Sequence, residues 1–157
     1  MKANKFTRFY NFLANLGLII RDDPPRVIDL TGRVWGAPAD GLVLSIRELN
    51  REDAGQVAGI SVVMKNEGAH KRSLTVPPWI FFYRIEGLEP TPYGRKLMTS
   101  DRTEKDAEVV LEAGGAVETE LPLATMYDVR AGNFRFSVSC TLPDQTILRS
   151  NHLMIRV

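Results

Sequence analysis

Phe134-Arg135-Phe136-Ser137-Val138-Ser139-Cys140-Thr141 is the stretch that decides the fold of this chain. Phe134, Phe136, Val138 and Cys140 alternate strictly with Arg135, Ser137, Ser139 and Thr141. A period of two is what a strand shows when one face packs on a core and the other meets water. The same text recurs upstream. Leu42, Leu44 and Ile46 alternate with Val43, Ser45 and Arg47, and Ile60, Val62 and Met64 alternate with Ser61, Val63 and Lys65.

Further along, Ser73 to Val76 reads as a short strand ended by Pro77-Pro78. Trp79 to Ile85 is apolar on both faces, as a central strand covered twice would be. Val109 and Leu111, then Val117, Leu121 and Leu123 with Glu118 and Glu120 facing out, flank a Gly114-Gly115 turn. Leu153, Ile155 and Val157 read as a last strand. Residues 87–106 carry no such pattern and read as a long loop, with a short strand at Lys96-Leu97-Met98. Seven to eight strands separated by turn residues predict an all-β, immunoglobulin-like antiparallel β-sandwich. A jelly roll or small closed barrel is the structural alternative.

The 157 residues suit one domain with a substantial core. The organisation reads as an N-terminal helical, signal-like or tail segment (1–25), a linker with an edge strand at Val27 to Leu30 (26–40), and the sandwich (41–157). A net charge of +1 lacks the basic excess of a typical nucleic-acid binder, so none is expected as partner. That charge is uneven, since residues 1–26 hold five basic against two acidic side chains. Within them Lys2, Lys5 and Arg8 precede the apolar run Phe12 to Ile20. Three readings stand: an export signal, a docking helix touching a membrane surface through residues 3–20, or a disordered tail. No run approaches the ~20 apolar residues of a membrane span. Export to the cell envelope is slightly favoured over the cytoplasm.

No constellation for catalysis stands out. Cys140 is alone and in phase with Phe134 and Phe136, which predicts a buried thiol. His70 and His152 form no His-x-x-x-His pair, there is no Gly-x-Ser-x-Gly elbow, and no phosphate-cradling loop follows Gly114-Gly115. No metal or cofactor is therefore expected. The acidic group around Asp101, Glu104, Asp106 and Glu108 reads as a solvated loop. Among the aromatics, Trp79 and Tyr83 share a phase with the core, whereas Trp35 and Tyr93 lie in loop text. Trp35, Tyr93, Arg95 and Lys96 are the candidate partner-contact residues.

Three stretches carry a resemblance. Trp35-Gly36 with Gly41 to Ile46 and Val62 to Gly68 looks like the opening of a type of bacterial β-sandwich whose second strand ends in an Asn-x-Gly turn. Leu111 to Glu118, Leu123 to Val129 and Gly132 to Phe136 are similar to the β-domain that precedes the catalytic domain of deuterolysin-type metallopeptidases. Ser150 to Val157 is like the terminal strand of standalone bacterial versions. The resemblance implies a free-standing immunoglobulin-like domain of the kind often found in exported proteins. The peptidase's His-Glu-x-x-His motif is absent from this sequence, so its activity does not carry over. At Tyr127 the residues agree with the resemblance, because a tyrosine just before a Gly-x-Phe strand can bridge a corner with its hydroxyl. Simple packing is the other reading there.

These observations predict a non-catalytic binding or structural module that offers loops or an edge strand to a protein or glycan. The alternative is a protease inhibitor or regulator that uses the 87–106 loop, stiffened by Pro90 and Pro92.

Overall fold

Asp40 and Gly41 both have positive φ, 52° and 74°. That pair of conformations makes a two-residue hairpin turn, for which Asp-Gly is a preferred sequence. Ala39 and Leu42 close it with reciprocal backbone hydrogen bonds of 2.9 and 3.0 Å. The computed structural model describes residues 28–49, 59–101, 104–129 and 132–156, and this turn launches its first strand. The signal-like segment 1–25 lies outside the described residues.

The described residues form nine strands: β1 (Leu42–Glu48), β2 (Gly59–Asn66), β3 (Arg72–Val76), β4 (Tyr83–Glu86), β5 (Ala107–Leu111), β6 (Ala116–Pro122), β7 (Asn133–Thr141), β8 (Ile147–Arg149) and β9 (Leu153–Arg156). All the strand pairs are antiparallel. They build a sheet β1-β2-β6, a pair β3-β5, and a sheet β4-β7-β8 to which β9 adds along β7. The all-β expectation holds. Leu44, Met64, Leu74, Leu121, Phe136 and Leu148, drawn from all three sheets, are buried in one core.

Two asparagine side chains join the sheets. Asn66 ends β2 and is buried; its amide donates to the carbonyls of His70, Leu111 and Glu112 while its oxygen accepts from the Gly68 N–H. That ties the first sheet to β5. Asn151 accepts from the Ile46 N–H at 2.8 Å and donates to the Ile46 carbonyl at 3.2 Å. It does for the β1 edge what a neighbouring strand would do, satisfying backbone groups that burial would otherwise leave costly. The first sheet is thereby joined to the segment between β8 and β9.

Several local expectations need correction. Trp79 to Ile85 is not one strand. Residues Trp79–Phe82 form a single helical turn, α1, whose Phe81 and Phe82 N–H groups bond to the Pro78 carbonyl. Pro78, with φ −49°, is pre-set for that entry. The turn resets the phase, so that adjacent Phe82 and Tyr83 are both buried with rings 4.9 Å apart. Apolar text on both faces here comes from a change of element. Likewise, Lys96-Leu97-Met98 is not a strand: Pro92–Thr99 forms a helix, α2.

Nor do Ile28 to Leu30 form an edge strand; Val27 lies outside the described residues. The stretch after them is fastened to β1 instead. Gly36 N–H bonds to the Leu44 carbonyl at 2.9 Å, and Ser45 Oγ donates to the Val34 carbonyl at 2.7 Å. Consequently Val43, Ser45, Ser61 and Val63, on the face of the first sheet turned from the core, are buried too. Finally, β8 is a strand that the spacing of apolar residues does not announce.

Candidate functional site

Thr91 followed by Pro92 starts α2. The Thr91 hydroxyl accepts from the Gly94 N–H at 3.0 Å and donates to the Thr125 carbonyl at 2.8 Å, while proline at the first helical position loses no hydrogen bond. The backbone around the cap is paired as well, Thr91 N–H to Met126 and Asp128 N–H to Glu89. Gly94 is buried against this segment, and a Cβ there would run into the Met126 carbonyl. Only glycine lets the helix approach so closely. Leu97 and Met98 turn inward to the core.

Tyr127 completes the seat. Its hydroxyl lies 3.9 Å from Met98 Sδ. Burial raises its pKa above the ordinary tyrosine value, opposed by a hydrogen bond from the Ile85 backbone and by the charge of Arg84. The hydroxyl thus links β4 to α2. With the inner side held, Tyr93, 59% exposed, and the exposed Arg95 and Lys96 stand outward on the helix.

Trp35, the fourth candidate contact residue, belongs elsewhere. It is partly buried on the stretch that runs beside β1, with Lys65 Nζ 5.8 Å from its ring centre. This is a cation–π contact on the first sheet. Tyr93, Arg95 and Lys96 share one short helix; Trp35 is seated on a different element.

Close to Trp35 lies a cluster that residue patterns do not reveal. The Arg33 side chain is fully buried, and its Nη2 lies 2.5 Å from Ser61 Oγ and 3.4 Å from Glu118 Oε1. Ser61 Oγ also donates to Glu118 Oε1. Glu118, expected to face out, is therefore half-buried in an ion pair. Burial and then Arg47 lower the Arg33 pKa from its ordinary value, and Glu118 and Asp29 act against them. Such a pair, once one partner is removed, leaves a buried charge uncompensated. Its geometry fastens the stretch before β1 onto the sheet.

The remaining reactive side chains are set differently. Cys140 is buried in the core, which pushes its thiol up to about 12. Burial likewise raises Tyr83, beside it across β4 and β7. A neutral thiol in apolar surroundings is a poor nucleophile. His70 and His152 are both exposed, one in the turn after β2 and one before β9. Among the described residues no three His, Cys, Asp or Glu side chains are grouped to hold a metal ion. Nor is any helix among them long and apolar enough to cross a membrane.

Sequence reasoning also missed the outward face of the second sheet. Arg84 on β4, Ser139 on β7 and Arg149 on β8 lie in one row across three strands. Arg135 stands opposite Met154, and Asn133 opposite Arg156. The only sequence signal is arginine at the outward phase of separate strands, and it needs the pairing to become a surface. Comparison of the chain with protein-family models and with curated proteins finds no match.

Proposed function

We propose that this chain is a non-catalytic binding module that presents α2 to a protein partner through Tyr93, Arg95 and Lys96. One observation carries the reading: the inner side of α2 is locked by Gly94, the Thr91 cap and Tyr127, while its outer side offers an exposed aromatic ring beside two cations. A preorganised aromatic and a charged side chain on a rigid support are what binding hot spots are made of, because little conformational freedom remains to be lost. The cations favour a partner that is acidic at the point of contact. The resemblance to the β-domain of deuterolysin-type peptidases, without their zinc motif, supports the same immunoglobulin-like, non-enzymatic role. A protease inhibitor built on residues 87–106 would have to work through a helix rather than an extended loop.

Site-specific photocrosslinking tests this. A benzoylphenylalanine in place of Tyr93 should give a discrete protein adduct in the source cells, and the same group in place of Val110, also exposed, should not. Absence of an adduct at position 93, or the same adduct from both positions, overturns the reading. A glycan partner would show as loss of glycan-array binding on Tyr93→Ala with no protein adduct.

A further inference from the structure

On the outward face of the second sheet, Ser137 and Ser139 are only 5% and 6% exposed. In the paired rows, Ser139 lies between Arg84 and Arg149, and Ser137 beside Glu86. Long side chains on the flanking strands stand beside short, buried ones on β7, a row pattern of a shallow trough with serine at its floor. Arg84, Arg135 and Arg149 are exposed along it. Glu86 is the one acidic residue at these outward strand positions; it accepts from Ser139 Oγ at 3.0 Å and lies 3.9 Å from Arg149.

We propose that this trough is a docking site for an acidic, extended polypeptide segment lying along β7. Nine residues of β7 span about 30 Å, the length of a similar number of residues in an extended partner. Guanidinium groups form bidentate pairs with carboxylates, and arginine is the only cationic residue type at the outward positions of these strands. Ile147 near one end and Met154 near the other are 48% and 68% exposed, which suits a segment carrying apolar as well as acidic side chains. The same positions hold no aromatic ring on which a base would stack. This site is distinct from the α2 surface proposed above and does not depend on it.

Fluorescence anisotropy with a labelled nine-residue peptide alternating glutamate and leucine tests the proposal on the full chain. The expected result is saturable micromolar binding at about 0.05 M salt, weakening as salt screens the charges. The glutamine counterpart of the peptide should bind at least about tenfold more weakly, a difference of about 1.4 kcal/mol. Arg135→Glu with Arg149→Glu should abolish binding while circular dichroism stays unchanged. If that pair fails to fold, Arg135→Gln with Arg149→Gln should still lower affinity. Arg95→Glu with Lys96→Glu, on α2, should leave it intact, which separates failure here from failure of the α2 reading. Equal affinity for the glutamine peptide, no binding, or loss only in the α2 variant overturns the proposal. So does tighter binding of a nine-nucleotide single strand or of phosphatidylserine vesicles, which would assign the arginines to phosphate.

Discussion

The sheet β1-β2-β6 and the sheet β4-β7-β8 with β9 share one core, yet they treat their other faces in opposite ways. On the first, Val43 and Val63 are buried on the side turned from the core, and Arg33, buried on the stretch that covers them, is held by Ser61 and Glu118. On the second, arginines stand exposed over a serine floor. The same side chain therefore has two roles, set by whether another layer covers it. A buried guanidinium must be paired and so serves the fold. An exposed one contributes little to stability and remains available to a partner.

The largest expected effect tests whether the two sheets are one folding unit. Phe136 is 1% exposed, packed between them from β7. Phe136→Ala should lower stability by about 3–5 kcal/mol through the cavity it leaves. Urea denaturation should still show a single transition, because both sheets border the same cavity. Two separated transitions would break the comparison, making the sheets independent structures rather than two faces of one core.

The next effect sharpens the contrast on the covered side. Glu118→Ala leaves Arg33 buried without its carboxylate and should cost about 2–3 kcal/mol. A cost at Glu118 no greater than about 0.5 kcal/mol, the usual size for a surface substitution, would mean that Arg33 is effectively solvated. The first sheet would then be as open as the second.

Asn151 tests the join between them. Asn151→Ala removes both side-chain bonds to the Ile46 backbone and should cost about 1–2 kcal/mol. Hydrogen exchange at the Ile46 amide should accelerate more than at the central β2 amides. Unchanged exchange at Ile46 would show that water replaces the asparagine without loss, and that β1 is an exposed edge.

How much of this contrast is readable from sequence follows from the range of the interactions. Inward phases are local: Leu42-Leu44-Ile46 and Phe134-Phe136-Val138 declare themselves within a few residues, and they lie where the alternation puts them. The cover over the first sheet is not local. Arg33 and Glu118 are separated by 85 positions, and nothing near either residue marks the other. The helix α2 has a start signal in Thr91-Pro92, but a mostly polar sequence without a wide apolar stripe reads as loop. Three residues are too few for β8 to show a period. The candidate contacts divide along the same line: Tyr93, Arg95 and Lys96 are neighbours in sequence and share a helix, whereas Trp35, distant in sequence, lies against Lys65 on the first sheet.

The smallest expected effect concerns the open face itself. Arg135 lies next to Phe136 in sequence and on the opposite side of β7, exposed and opposite Met154 across the strand pair. Arg135→Ala should change stability by no more than about 0.5 kcal/mol, as ordinary surface substitutions do. Against several kcal/mol at Phe136, that ratio measures the phase of the strand, since a one-residue slip in register would exchange the two outcomes. The same variant should weaken binding of the glutamate–leucine peptide severalfold, because a carboxylate loses its partner without any loss of fold. A stability loss above 1 kcal/mol at Arg135 would signify that this arginine, like Arg33, is covered in the folded protein. The division between a face that holds the fold and a face that meets a partner would then have to be redrawn.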